Sequence, residues 1–248
     1  MDSTTMIAVA IVTGIIAIAV VTIKRWMDQY RLEQMRKSVE HIDSINLTSN
    51  VGNSLRPWLS IEALRALAEL TDFHAQQVNT QFISMPQRTS KALDQAEEWR
   101  NNAAPPSPSP LPTQPKQAKE LRDSLMDYLE LIKSGHKEHV IPTESARERI
   151  REATVLNARI CANTYQARAK QSLEQNAPNQ ALHFLKRAEK TIRNIKDLPQ
   201  DLMTELDALV EAIDELEQHR ANSGPSRLAE GADELAEAEE SWKKKTFD

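Results

Sequence analysis

Six histidines are the residues of this chain best suited to bind a metal or to move a proton; they stand at positions 41, 74, 136, 139, 183 and 219. Only His136 and His139 are close in sequence, in the segment SGHKEHV. A zinc site needs further ligands, and Glu138 is the one other candidate nearby. The pair is therefore interpreted as solvated histidines of a loop, and no metal site is predicted.

Other groups that catalyse reactions are isolated in this sequence. Cys161 is the single cysteine and lies near the inward stripe of a predicted helix, which favours a small core residue over a nucleophile. The five glycines are scattered, so no loop can converge its N–H groups on a phosphate. No pair of carboxylates stands out from the exposed helix faces. We therefore predict no catalytic activity and no cofactor.

Charge is distributed unevenly along the second half of the chain. Residues 144–196 carry eleven Lys or Arg against five Glu, a net charge of +6, whereas residues 197–240 carry fourteen acids against two Arg, a net charge of −12. One interpretation is that these elements pack together and partly neutralise each other. The other is that a basic stripe binds a partner through four side chains: Lys186, Arg187, Lys190 and Arg193.

The partner of such a stripe is either a protein or, as the alternative, nucleic acid or anionic lipid bound by the basic helices at 144–196. The whole chain has 31 basic and 36 acidic residues, a net charge of −5, and this balance speaks against a nucleic-acid binder.

The segment that would hold these helices at a membrane is Met6–Ile23, which has eighteen residues and no charge. As a helix it would span roughly 27 Å, close to the thickness of a bilayer core of about 30 Å. No Lys or Arg precedes it, whereas several follow it: Lys24, Arg25, Arg31, Arg36 and Lys37. This asymmetry predicts an uncleaved single-pass membrane anchor with its N-terminus outside and the rest in the cytoplasm. A cleaved signal peptide would need the basic n-region that is missing.

Within this segment Ala10, Gly14 and Ala17 fall at i, i+4 and i+7 and form one small-residue face. Such a face lets two membrane helices approach closely, which suggests a homo-oligomer, although small residues are common in membrane helices in any case.

Beyond residue 23 the chain reads as all-α, because glycine is sparse and alternating strand-like runs are absent. We predict a membrane helix that continues to about residue 45, a polar break at 46–53, and helices over 57–83 and 89–100. The expected domain order is an extracytoplasmic 1–5, a transmembrane helix 6–23, a juxtamembrane helical region 24–102, a Pro-rich linker 103–116, a helical bundle 117–219 and a flexible acidic tail 220–248.

The linker holds six of the twelve prolines and no charge before Lys116. Its P-x-x-P spacings would also suit an aromatic groove, but the lack of flanking basic residues favours a semi-rigid spacer.

The predicted bundle comprises four helices joined by short connections, which makes neighbours antiparallel. The first ends at the C-cap Ser134-Gly135, and the second begins with the capping box Ser145 and Glu148. Asn176 should adopt a positive φ in the turn before the third helix, and Pro178 should begin that helix. The fourth helix should turn inward an apolar stripe with strict spacings of four and three residues: Leu202, Leu206, Leu209, Ile213 and Leu216.

Residues 165–196 resemble a single tetratricopeptide-type helical hairpin, with Tyr165, Ala169, Ala181, Leu185 and Ala188 at packing positions of that motif. Arg168, Ser172 and Arg193 depart from it, and no second copy follows at a 34-residue period. The resemblance implies a surface that binds a peptide or a protein. Together these features predict a membrane-anchored cytoplasmic adaptor or scaffold for another protein.

Overall fold

The computed structural model describes the backbone of residues 3–81, 83–101 and 109–222, and the side chains of 19–81, 83–101 and 109–219. This part of the chain is all-helical and contains no strand, which confirms the predicted all-α class. Its helices are α1 (Ser3–Leu55), α2 (Ile61–Gln77), α3 (Gln87–Asn101), α4 (Pro115–Lys137), α5 (Thr143–Glu174), α6 (Pro178–Arg193) and α7 (Gln200–Asn222).

The helices belong to two compact units. The first unit comprises residues 1–56, 60–106 and 131–142, and the second comprises 57–59, 107–130 and 143–248. The last residues of α4 thus belong to the first unit, together with the turn that follows them, and the short Pro57–Leu59 segment belongs to the second.

The N-terminal helix α1 is 53 residues long and includes the apolar segment Met6–Ile23. Side chains before residue 19 lie outside the described part of the chain, among them those of Ala10, Gly14 and Ala17. Over the residues that are described, no helix offers a stretch both long and apolar enough to cross a membrane.

The predicted polar break at 46–53 is wrong, because α1 continues through it to Leu55. The glycine in this stretch is a packing site: a Cβ at Gly52 would lie 2.8 Å from Cζ2 of Trp99 on α3. Polar side chains of the same stretch face α3 as well. Ser49 donates to Gln95 Oε1 at 2.6 Å, and Asn53 donates to the same oxygen at 2.9 Å. Hydrogen bonding between helices therefore explains a composition that resembles a loop.

Helix α3 begins and ends close to its predicted bounds, whereas α2 is shorter than the predicted 57–83 at both ends. It begins at Ile61 after the N-cap Ser60, whose hydroxyl accepts from the N–H of Ala63 at 3.1 Å, and it ends at Gln77. The core of this unit includes Ile42, Ile45, Val78 and Ala92, all buried.

In the second unit α5 packs against α6, and α6 against α7, with side chains of all three in one hydrophobic cluster. The predicted all-α helical bundle is confirmed for α5, α6 and α7. Apolar stripes of the sequence form this cluster, including Leu185, Ile192, Leu202, Leu209 and Ile213. Helix α4 contacts α5 through Arg122 Nε, which donates to Asn157 Oδ1 at 3.0 Å.

The turn before α6 has the predicted chemistry: Asn176 has φ 54° and Pro178 is the first residue of the helix. Two other predicted helix ends are wrong. Helix α4 passes Gly135 and ends at Lys137. Gly135 is a packing site rather than a C-cap, because a Cβ there would lie 2.9 Å from Cδ1 of Ile141. The positive φ that was expected at the glycine occurs at His139, where φ is 61°. Helix α5 begins at Thr143, so Ser145 and Glu148 lie within its first turns.

Candidate functional site

A groove of about 380 Å³ lies between α5 and α7 in the second unit. Its apolar surface comes from Leu185 of α6 and from Ala208, Leu209 and Ala212 of α7. Polar side chains line it too: Arg159, Asn163 and Gln166 from α5 and Glu205 from α7. A concave surface with an apolar base and a few polar groups is the usual form of a site that holds a peptide or a small ligand.

One wall of the groove is Leu111, which belongs to the proline-rich segment before α4. Asn163 fixes this segment, because its side-chain Nδ2 donates to the carbonyl of Leu111 at 3.1 Å and to that of Pro112 at 3.2 Å. Trp58 adds a third hydrogen bond, from Nε1 to the carbonyl of Ser109 at 2.9 Å. Residues 109–112, called the docked segment below, are therefore held through their carbonyl groups.

The donors suit this segment chemically. Pro110 and Pro112 have no N–H, so the backbone there offers carbonyls and almost no donors. Ser109 and Leu111 each precede a proline, which restricts them to β or polyproline II backbone angles. An extended strand of carbonyls is what an indole N–H and a carboxamide can bind.

At one end of the groove Arg159 forms an ion pair with Asp201, which joins α5 to the start of α7. The Arg159 side chain is 30% exposed, and its Nε is buried without a hydrogen-bond partner in the described part of the chain. This atom can donate one further hydrogen bond, provided that a small movement exposes it to the groove.

The four residues of the basic stripe all lie on α6. Lys186 Nζ lies 2.7 Å from Glu217 Oε1 on α7, and Arg193 Nε lies 2.7 Å from Glu189 Oε1 one turn away. Lys190 is exposed and Arg187 is half-buried. Lys186 and Arg193 thus each have a carboxylate of the same unit beside them.

The residues that carry the hairpin resemblance lie in the α5–α6 interface. Ala169, Ala181, Leu185 and Ala188 are buried, and Tyr165 stacks on Phe184 with ring centroids 6.5 Å apart. Arg168, which departs from the motif, places its Cζ 5.7 Å from the centre of the Phe184 ring.

The remaining chemical groups are in ordinary structural settings. Cys161 is half-buried, and burial raises the pKa of its thiol, so it is protonated at neutral pH. His136 lies in the last turn of α4, with Nδ1 3.2 Å from the carbonyl of Ile141. The described residues contain no group of three or more His, Cys, Asp or Glu placed to hold a metal ion.

Two histidines that the sequence did not pair are in contact in the first unit. Nδ1 of His41 on α1 lies 3.2 Å from Nδ1 of His74 on α2. His74 is buried, and this burial lowers its pKa; Glu138 opposes the shift, and the nearby His41 adds a smaller lowering.

Sequence patterns missed Asn163 and Trp58, because a single carboxamide or indole on a helical chain has no distinctive spacing. The sequence did carry one indication of such donors, because the carbonyls of a proline-rich segment need hydrogen-bond donors from other parts of the chain. Comparisons with protein-family models, with characterised proteins and with solved structures found no match to this chain.

Proposed function

We propose that this chain is a membrane-anchored cytoplasmic adaptor that binds another protein through the surface of α5, α6 and α7. The observation that supports it best is the groove between α5 and α7, where an apolar base is flanked by hydrogen-bonding side chains. A partly apolar groove on a small helical bundle is better suited to a polypeptide than to a reaction, since the described residues that line it do not group an acid, a base and a nucleophile.

The anchor in this proposal rests on the sequence. Met6–Ile23 has the length and composition of a single span, and the Lys and Arg residues that follow it favour a cytoplasmic location for residues 24–248. Lateral association through the small-residue face of Ala10, Gly14 and Ala17 would give the adaptor a second copy in the membrane.

The alternative, binding of anionic lipid or nucleic acid by the basic helices, has less support. Carboxylates beside Lys186 and Arg193 reduce the positive potential that a phosphate would meet. Salt-sensitive retention of the chain on anionic vesicles or nucleic acid would favour this alternative over the adaptor.

The adaptor hypothesis is tested by filling the groove. Ala208 is exposed and lines the groove, so Ala208→Trp should occupy it without disturbing the core. Met203 is 45% exposed on the same helix and is not among the residues that line the groove, so Met203→Trp is the matched control.

Proximity labelling from the C-terminus of the full-length chain in its host should show specific neighbours that Ala208→Trp loses and Met203→Trp keeps. Equal labelling by both variants, at equal protein levels, would refute the groove as the adaptor surface.

A further inference from the structure

We infer that the groove between α5 and α7 binds an extended, proline-containing peptide of a partner protein, and that the docked segment occupies part of this site as an internal competitor. The inference rests on the proposed function, because it names the class of partner for the same groove.

Hydrogen bonds to main-chain carbonyls hold the docked segment in place. Three carbonyls of the docked segment accept from two side chains, Trp58 and Asn163, that lie outside it. Both donors belong to the same unit as the segment. These bonds are made to main-chain atoms, so any strand with the same backbone conformation can replace the segment without loss of the hydrogen bonds.

The side-chain donors of this site favour a ligand that contains proline. Carbonyl recognition by an indole and a carboxamide leaves the N–H groups of the ligand unused. An ordinary extended peptide would carry these donors into the contact unpaired, whereas proline removes them and pre-sets φ. Proline also lowers the entropy lost on binding, because the free peptide already populates the extended form.

The groove extends beyond the docked segment. Leu111 is half-buried and forms a wall, yet about 380 Å³ remains open between it and Leu209. The docked segment therefore leaves part of the site empty. A longer peptide can fill this space with a side chain while its main chain takes over the hydrogen bonds from Asn163.

The docked segment is covalently joined to α4, so it competes at an effective concentration that is typically on the order of millimolar. A free peptide should therefore bind weakly to the wild-type chain. Weakening the internal contact should expose the full affinity of the groove.

The test uses the full-length chain in detergent micelles and a fluorescent nine-residue peptide with the sequence PSPSPLPTQ, which is that of residues 106–114. In the variant Leu111→Ser/Pro112→Ser the docked segment loses its two half-buried side chains. Fluorescence anisotropy should show at least tenfold tighter peptide binding to this variant than to the wild type.

Two further substitutions identify the site. Adding Asn163→Leu to the variant should weaken binding at least tenfold, whereas adding Asn157→Leu should not, because Asn157 is on the same helix but hydrogen-bonds Arg122. A peptide with alanine in place of every proline should bind at least tenfold more weakly. Far-UV circular dichroism melts of all variants check that the bundle remains folded.

The inference is overturned if releasing the docked segment does not tighten peptide binding, or if the alanine peptide binds equally well. It is also overturned if the released variant forms dimers in place of binding peptide, since exchange of the segment between two copies would then be the function of the contact. The proposed function can fail while the peptide site stands. If the released variant binds the peptide but Ala208→Trp does not change which proteins are labelled in the host, the adaptor function is contradicted and the peptide site is not.

Discussion

Gly52 provides a direct test of how α1 and α3 pack, because two effects of opposite sign compete there. Replacing a glycine in a helix by alanine normally stabilises the helix by about 1 kcal/mol. Here the new Cβ would lie 2.8 Å from two atoms of the Trp99 ring, which is 2% exposed and has no room to retreat. Overpacking of this kind costs about 1–3 kcal/mol. With contacts this short, we expect Gly52→Ala to destabilise the first unit by about 1–2 kcal/mol net.

Hydrogen–deuterium exchange measures this for the first unit alone. Peptides that cover α3 and residues 45–55 of α1 should exchange about tenfold faster in Gly52→Ala, since about 1.4 kcal/mol corresponds to a factor of ten. Ser54→Ala, an exposed neighbour on the same helix, is the matched control and should leave the rates nearly unchanged.

The same substitution in a Trp99→Leu variant tests whether contact with the Trp99 ring causes the destabilisation. In Trp99→Leu the ring is gone, so Gly52→Ala should change sign and slow the exchange through its helix propensity. If Gly52→Ala slows exchange in the wild-type background as well, the close contact between Gly52 and Trp99 is wrong, and with it our explanation of why α1 continues past residue 46.

Leu209 is 3% exposed in the α5–α7 cluster, so Leu209→Ala should cost about 2–5 kcal/mol and lower the thermal midpoint of the full-length chain, whereas Glu211→Ala on the exposed face of α7 should not. Burial lowers the pKa of His74 below its ordinary value of 6.5, so on acidification this histidine takes up a proton in the unfolded chain before it does so in the folded chain. The free energy of unfolding should therefore fall as the pH drops below about 6.5. The substitution His74→Gln should flatten a plot of the thermal midpoint against pH between about 7.5 and about 5. A reporter that is active only after export should stay inactive when fused after Asp248; activity there would contradict the predicted orientation.

Features that depend on periodicity could be predicted from the sequence. The apolar stripe of α7 forms part of the core at Leu202, Leu209 and Ile213 because spacings of three and four residues place them on one helix face. Asn176 and Pro178 also behave as expected, since their preferences are local to the backbone.

Features that depend on a contact between residues distant in sequence could not be predicted. The sequence predicts a break at 46–53, which contains Gly52, and a helix end at Gly135, yet at each of these glycines a large side chain approaches the helix closely. Local sequence cannot separate these roles, because both require the absence of a Cβ. The groove was missed for the same reason: Asn163 acquires its role only when the docked segment comes within 3.2 Å of it.

Site-specific photocrosslinking in the host tests the central claim, that the groove binds another protein, most directly. A benzophenone amino acid at Ala208 of the full-length chain would report what lies in the groove, and the same residue at Met203 would report the neighbouring surface of α7. We expect a discrete adduct with another protein from position 208 and none from position 203. No adduct at 208, or the same adducts from both positions, would contradict it.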